Sequence, residues 1–269
     1  MAASAAVTTH AALVVNYEFN EPAGGFSTAV NSGSGTIGAW GDNANASLNG
    51  SGQLEVTGPL GFQNRVLTGG SAISSGSAFL RIDFDSWGPA ADPFFVFGMR
   101  AAGPTSTGPR SWRLQFSSGN GVSGDPMGRL FETSGNSMNS GFNFLEGDIP
   151  VEAGLNGSMP NGFSVIMGID LDNDTTSVWW DPGRTGNYVI AGGRDTVAIA
   201  HNTGVTDFNL IDGIQLQGNG GPFAIDRLVL GTDFAEVAAI PEPGSATFCA
   251  GIAAWLISVR RRRRGPTVA

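Results

Sequence analysis

Residues 162–182, "GFSVIMGIDLDNDTTSVWWDP", decide the fold class. Every second position in the first half of this stretch is apolar: Phe163, Val165, Met167, Ile169 and Leu171. A period of two is that of a β-strand with one buried face. Residues 172–175 are acidic and polar enough to form a turn, and residues 178–180 can return as a second strand. The stretch therefore predicts an antiparallel β-hairpin.

The same alternation recurs in residues 15–20, 80–85 and 112–116. The predicted buried positions are Val15, Tyr17, Phe19, Leu80, Ile82, Phe84, Trp112, Leu114 and Phe116. The alternating polar positions, such as Asp83 and Asp85, are expected on the solvated face of each strand. Clusters of Gly, Asn, Ser and Pro separate the strands, and the 41 glycines show no collagen period. We expect a single all-β domain over residues 12–236, built as an antiparallel sandwich.

A second reversal is predicted in residues 208–237, with the glycine-rich turn at residues 218–221. The segments "IDLDNDT" (residues 169–175) and "IDRLVLGTDFAEV" (residues 225–237) resemble the closing strands of the LamG-like, concanavalin A-like jelly roll. The resemblance implies two stacked antiparallel sheets. It also implies a family whose members bind glycans or proteins, or hydrolyse β-glucans.

The C-terminal segment combines an apolar run with a cluster of arginines. Residues 244–259 would span roughly 24 Å as a helix, against about 30 Å for the hydrocarbon core of a bilayer. The run ends at Arg260, Arg261, Arg262, Arg263 and Arg264. Positive charge beside a span favours the cytoplasmic side. The sequence therefore predicts a transmembrane helix over residues 244–259, a cytoplasmic tail over residues 260–269 and an exported body.

Pro241, Glu242 and Pro243 precede this run, which contains Trp255. This three-part order resembles the PEP-CTERM sorting signal of bacterial exported proteins. The resemblance implies an exosortase-type membrane protease as partner and transient anchoring in the inner membrane. Cleavage near the motif would then release the body to the cell envelope or extracellular matrix. The motif lies in a predicted linker over residues 237–243. One alternative is that Pro-Glu-Pro is only a linker. Another is that the apolar run is a short amphipathic or buried helix whose arginines form a solvated tail or a nucleic-acid patch.

The N-terminal segment is the expected counterpart of such a tail. Residues 1–11 lack a basic region, but Thr9, His10 and Ala11 resemble a signal-peptide cleavage pattern. We interpret them as the remnant of a truncated signal peptide. The single Cys249 lies in the apolar run, so the body contains no disulfide.

The charge of the body argues against nucleic acid as a partner. Residues 1–239 contain nine Arg and no Lys against 22 Asp and Glu, which leaves a net charge of −13. Such a body repels phosphate.

Catalytic patterns are not found. Retaining glucanases of the concanavalin A-like fold need two carboxyl groups about 5 Å apart on one strand face, in a Glu-x-Asp-x-x-Glu pattern that does not occur here. Glu18 and Glu21 lie at the end of a predicted strand. His201 is not accompanied by a G-x-S-x-G nucleophile elbow. The sequence therefore predicts a protein that is not an enzyme. The alternative is a secreted glycoside hydrolase with an unrecognised active site.

The sequence contains one group of possible calcium ligands. Asp170, Asp172 and Asp174 have the D-x-D-x-D spacing of a calcium loop, but Thr175 replaces the glycine that the EF-hand turn requires. We favour turn carboxylates that bind no metal, and expect no cofactor. A weak calcium site that involves these residues or Asp226 is the alternative.

Two consecutive tryptophans suggest a glycan site. Trp179 and Trp180 share a predicted strand, so one of them must face outward. An outward ring can stack on a sugar, with Gln215 and Gln217 of a nearby strand as hydrogen-bonding partners. A loop over the outward ring is the alternative. The sequence thus predicts an exported surface or matrix protein with a glycan-binding or structural body, and an exopolysaccharide as its ligand.

Overall fold

The computed structural model describes residues 13–87, 94–101, 110–117, 127–134, 137–143, 162–173, 175–184, 189–190, 199–200, 210–219 and 221–239. Nearly all regular structure in these ranges is β-strand. Every strand pair among them is antiparallel. The all-β class predicted from alternating apolar residues is confirmed.

Within the described ranges, ten strands form one sheet in the order β14-β13-β12-β7-β17-β5-β4-β2, with β1 paired to β17 and β15 paired to β13. Their bounds are β1 Val15–Tyr17, β2 Gly24–Gly25, β4 Ala46–Leu48, β5 Leu54–Val56, β7 Ser77–Trp87, β12 Phe163–Asp170, β13 Thr175–Pro182, β14 Val189–Ile190, β15 Ile199–Ala200 and β17 Phe223–Gly231.

Seven strands of the described residues form the second sheet, in the order β11-β10-β9-β8-β16-β6-β3. Their bounds are β3 Thr36–Ile37, β6 Leu60–Thr68, β8 Phe94–Ala101, β9 Arg110–Ser117, β10 Met127–Ser134, β11 Ser137–Asn143 and β16 Gly213–Asn219. A 3₁₀ turn covers Phe26–Thr28, and the α-helix α1 covers Phe234–Ala239.

The chain divides into two compact units, Met1–Ala238 and Ala239–Ala269. Apart from the last residue of α1, all of the strands and helices above belong to the first unit. In the part of the chain that the structure describes, no helix has the length and apolar character that a membrane span requires. The span predicted over residues 244–259 lies outside the described residues.

The two sheets enclose one hydrophobic core. Phe84 of β7 contacts Phe95 of β8 edge to face, with ring centroids 5.3 Å apart, so the inner faces of the two sheets meet there. Trp112 and Phe163 are buried in the same core, as the alternation predicts. Only the backbone of Phe116 is described. The sandwich architecture is confirmed by this shared core.

The first predicted hairpin is confirmed. Strands β12 and β13 pair antiparallel, from Phe163 opposite Pro182 to Asp170 opposite Thr175. The chain reverses between the two strands after Asp170.

The second predicted hairpin is wrong. Strand β16 pairs with β6 and β8 in the seven-stranded sheet, whereas β17 pairs with β1, β5 and β7 in the ten-stranded sheet. The connection after Asn219 therefore crosses from one sheet to the other. A glycine-rich turn reports that the chain reverses, but it does not report which strand each arm will pair with.

Part of the outer face of the ten-stranded sheet is buried as well, which corrects the prediction that Asp83 is solvated, whereas the Asp85 side chain on the same face is 51% exposed, as predicted. Asp83 is fully buried; its Oδ1 accepts hydrogen bonds from Arg81 Nε at 2.7 Å and from Ser164 Oγ at 2.6 Å. Arg81 Nη1 also donates to the backbone oxygens of Val237 and Ala238 in α1. The helix thus covers this face and includes residues 237–239 of the segment predicted as a linker.

Candidate functional site

Trp179 lies on β13 in the ten-stranded sheet and is half-buried. Its ring lies 4.6 Å from the ring of Phe234 in α1 and 5.9 Å from that of Phe79. The backbone of Trp180 pairs with Val165, and its side chain lies outside the described residues. The helix α1 therefore packs on this ring, where the predicted alternative had placed a loop.

Gln215 and Gln217 lie on β16 in the other sheet. The structure does not bring them together with Trp179, so the predicted grouping of the two glutamines with the tryptophans is wrong. The sheet to which a strand belongs is decided by its pairing with segments that are distant in the sequence. The local sequence of each strand does not show this pairing.

A different set of residues surrounds Gln215. The register places Arg113 of β9 opposite Gly98 of β8, Gly98 opposite Gln215, and Gln215 opposite Asn64 of β6. Residues directly opposite one another across antiparallel strands share a face. The neighbouring positions, such as Trp112, belong to the hydrophobic core. The row of Arg113, Gly98, Gln215 and Asn64 therefore lies on the outer face of the seven-stranded sheet.

Arg113 reaches along this row across strand β8. Its Nε donates to Ser111 Oγ at 2.7 Å and to Gln215 Oε1 at 3.0 Å, although β16 lies two strands away, or about 10 Å. Gly98 makes this path available. A Cβ atom there would lie 3.0 Å from Arg113 Cγ and 2.1 Å from the backbone oxygen of Trp112. The guanidinium carbon then lies 4.6 Å from the ring centroid of Phe62 on β6, a cation–π contact.

The charge of Arg113 has no carboxylate partner among the described residues. The residue is only 6% exposed, and burial lowers the pKa of its guanidinium to about 10. Arg100, on the same face, differs because its Nε lies 3.2 Å from Asp212 Oδ1. Burial raises the pKa of the Asp212 carboxyl, while the charge of Arg100 partly offsets this rise.

Two further groups lie on this face, the side-chain oxygen of Asn64 and the ring of Phe62. Asn64 Oδ1 is buried and accepts no hydrogen bond within the described part of the chain. The Phe62 ring next to Arg113 is 45% exposed. The face thus combines a buried cation, a free acceptor and an accessible aromatic ring. We call Phe62, Asn64, Arg113 and Gln215 the Arg113 site.

Sequence reasoning missed three of these four residues. The alternation in residues 112–116 placed Arg113 on the polar side of its strand, but gave no sign that it would lie beside Phe62 and Asn64. Strands β6 and β9 are separated by two other strands in the sheet, and this order is a property of tertiary pairing.

The predicted calcium candidates hold other roles. Asp170 Oδ1 accepts hydrogen bonds from the backbone nitrogens of Asp172 and Asn173, an arrangement that closes the hairpin turn. Asp226 pairs with Arg184 and accepts a hydrogen bond from Gln53 Nε2 at 3.0 Å. Asp174 lies outside the described residues. Among the residues that are described, no three His, Cys, Asp or Glu side chains come together as metal ligands would.

The carboxylates considered for catalysis are engaged in hydrogen bonds. Glu18 Oε1 accepts from Asn16 Nδ2 at 3.3 Å, and Glu21 Oε1 accepts from the backbone nitrogen of Val30 at 2.6 Å. His201, residues 1–11, Cys249 and all of the predicted sorting, anchor and stop residues (241–243, 255 and 260–264) lie outside the described residues.

No protein-family profile matches this chain, and no curated protein matches it. Solved structures of similar fold include a legume lectin-like domain from Entamoeba histolytica, with 10% identity and a TM-score of 0.42 over 73% of this chain and 88% of that one. A pseudo beta-1,3-glucanase of Mycobacterium tuberculosis has 11% identity and a TM-score of 0.47 over 82% and 99%. A beta-1,3-glucanase from Mycobacterium marinum has 12% identity and a TM-score of 0.43 over 81% and 98%. Similarities at this level assign neither a ligand nor an activity to this chain.

The prediction that the chain is not an enzyme is corrected by the same comparisons. Several of the structures of similar fold are named as glycoside hydrolases or β-1,3-glucanases, and others are lectins. The absence of a Glu-x-Asp-x-x-Glu pattern does not by itself make this chain a protein without enzymatic activity.

Proposed function

We propose that this chain is an exported protein of the cell surface or extracellular matrix whose β-sandwich binds glycan at the Arg113 site. The observation that carries this proposal is the exposed Phe62 ring beside the Arg113 guanidinium, on the same sheet face as Asn64 Oδ1, which accepts no hydrogen bond from the described residues. Gln215 holds the guanidinium in place from β16, two strands away.

A sugar presents two kinds of surface to a protein. Its C–H faces stack on aromatic rings, and its hydroxyl groups donate and accept hydrogen bonds. Phe62 offers the ring, Asn64 Oδ1 accepts, and the guanidinium of Arg113 donates. The site therefore offers the sugar a stacking surface together with both kinds of hydrogen-bonding group.

Export is the second half of the proposal, and it is supported by the C-terminal sequence. The Pro-Glu-Pro motif, the apolar run and the arginine cluster are in the order of a PEP-CTERM signal. An exosortase-type protease would act on this signal while the apolar run anchors the protein in the inner membrane. The released body would then meet exopolysaccharide in the envelope or matrix.

Affinity electrophoresis of the full chain in gels that contain exopolysaccharide from the native host tests the binding proposal. We expect the wild-type protein to be retarded and Phe62→Ala to migrate as in a gel without polysaccharide. Trp179→Ala is the matched control, since it removes an aromatic ring from the other sheet, and we expect it to remain retarded.

Three results would contradict the proposal: no retardation of the wild type, unchanged retardation of Phe62→Ala, or loss of retardation only in Trp179→Ala. The last result would return the site to the ten-stranded sheet. Thermal unfolding of each variant confirms that it is folded. Release of reducing sugar in the same gels measures hydrolysis directly.

A further inference from the structure

Arg113 is a buried cation that the described part of the protein leaves without a counter-charge. Among the described residues, only Ser111 and Gln215 accept hydrogen bonds from Arg113, both from Nε, and both of these partners are neutral. Burial of a guanidinium without a carboxylate costs free energy, and the lowered pKa of Arg113 has burial as its cause. The nitrogens Nη1 and Nη2 have no acceptor among the described residues.

The other arginines with described side chains on the two outer faces differ from Arg113 because each has a carboxylate partner. The pairs are Arg81 with Asp83, Arg100 with Asp212, Arg184 with Asp226 and Arg227 with Glu18. These pairs show that this acidic chain supplies carboxylates to its outer-face arginines elsewhere. At Arg113 the neighbours are instead an aromatic ring, a glycine, a hydroxyl and an amide.

We propose that the missing counter-charge is supplied by the ligand, and that the Arg113 site selects polysaccharides that contain hexuronic acid residues. This inference rests on the proposed glycan binding at the same site. The two free Nη groups of a guanidinium match the two oxygens of a carboxylate. Phe62 stacks on the C–H face of the sugar ring, and the unsatisfied Asn64 Oδ1 accepts a hydrogen bond from a ring hydroxyl.

The net charge of the body opposes such a ligand at long range but not at the site. At 0.15 M salt, charges more than about 8 Å apart in water are largely screened. The carboxylate would contact Arg113 directly, and the structure places no described carboxylate in contact with that guanidinium. Selection therefore depends on local contact rather than on the overall field of the protein.

The test compares two polymers that differ only in the carboxylate: polygalacturonate and the same polymer after reduction of its carboxyl groups to hydroxymethyl groups. Binding of the full chain to each is measured at 0.15 M salt, where we expect wild type to bind polygalacturonate at least tenfold more tightly. One charge-assisted contact corresponds to roughly ten- to hundredfold in affinity.

Arg113→Gln should abolish the preference, because it removes the charge that contacts the carboxylate, and we expect it to bind polygalacturonate at least tenfold more weakly than wild type. Arg113→Lys keeps the charge without the two-pronged geometry, so we expect an intermediate preference. Arg184→Gln is the matched control: it removes the same unit charge from the other sheet and should keep the preference of wild type.

The inference is overturned if wild type binds both polymers equally or neither, or if folded Arg113→Gln retains the preference. Should Arg113→Gln fail to fold, the comparison of wild type with Arg113→Lys decides, because an unchanged preference in Arg113→Lys excludes the two-pronged contact. Equal binding of both polymers with intact dependence on Phe62 would contradict this inference alone. If the wild-type protein does not bind the host exopolysaccharide, the proposed function itself is contradicted.

Discussion

Arg113 Nε on β9 donates a hydrogen bond to Gln215 Oε1 on β16, and the side chain crosses the whole width of strand β8 to do so. The side chain passes over Gly98. Glycine leaves room for it there because it has no Cβ atom. The contact joins three strands of the seven-stranded sheet by a polar bridge on the face away from the core. It also orients the guanidinium toward Phe62.

This bridge predicts a difference between two glutamines of the same strand. Gln215→Leu removes a hydrogen bond to a buried charge and should lower the free energy of unfolding by about 1–3 kcal/mol. Gln217→Leu is the control, because Gln217 is only half-buried, and a change within about 0.5 kcal/mol is expected. Urea unfolding measures both. Equal effects would mean that the bridge does not form in solution.

Asp83 and Asp85 provide a second matched pair. Asp83→Ala breaks a buried ion pair with Arg81 and should cost about 3–5 kcal/mol. The Asp85 side chain is 51% exposed and lies 3.8 Å from Arg184, so Asp85→Ala should cost no more than about 1 kcal/mol. Melting temperatures are the measurement. If Asp83→Ala melts with wild type, the outer face of the ten-stranded sheet is solvated after all.

Substitutions in the core are expected to cause the largest losses of stability. Trp112→Ala and Phe163→Ala each remove a buried ring and should destabilise the protein by about 3–5 kcal/mol. Val30 is 60% exposed, so Val30→Ala should change the stability by less than about 0.5 kcal/mol. Denaturant unfolding at a fixed pH separates the three variants. A Trp112→Ala protein as stable as Val30→Ala would reverse the faces assigned to β9.

Asp212 makes the stability depend on pH in a defined direction. Because burial raises the pKa of Asp212 in the folded state, the folded protein binds a proton more readily than the unfolded chain. Protonation therefore relieves a cost of folding, and this contribution favours the folded state increasingly as pH falls from 7 toward about 4. Wild type should gain stability relative to Asp212→Asn over this range. A difference that is constant with pH, or that moves the other way, would show that the Arg100 charge outweighs burial.

The sorting proposal predicts loss of the C-terminus in the native host. A C-terminal epitope tag should be absent from the exported wild-type body, because cleavage near Pro241 removes the segment that carries it. Replacement of Pro241, Glu242 and Pro243 by alanines should retain the tag on membrane-bound protein. Equal loss of the tag from wild type and variant would contradict processing at this motif.

The buried faces of individual strands were predictable because they depend on local alternation alone. Val165 and Met167 lie in the core with Leu80 and Ile82, as their spacing indicates. The turn between β12 and β13 was equally local, since Asp170 bonds to nitrogens only two and three residues away. What failed was pairing between distant segments: the reversal after Asn219 was recognised, but β16 and β17 belong to different sheets.

The sequence by itself thus determined the all-β class, the described inward residues of the alternating strands and the chemical character of the C-terminal segment. Only the tertiary structure decided which polar residues are buried and which residues share a face. Arg81 and Asp83 have the sequence pattern of a solvated strand side, but in the structure Arg81 bonds to α1 and Asp83 is buried against Arg81 and Ser164. Phe62, Asn64 and Arg113 become one site because strand order places them together. The period of a strand specifies which way a side chain points, whereas its neighbours across the sheet are set by hydrogen bonding between strands that are far apart in the chain.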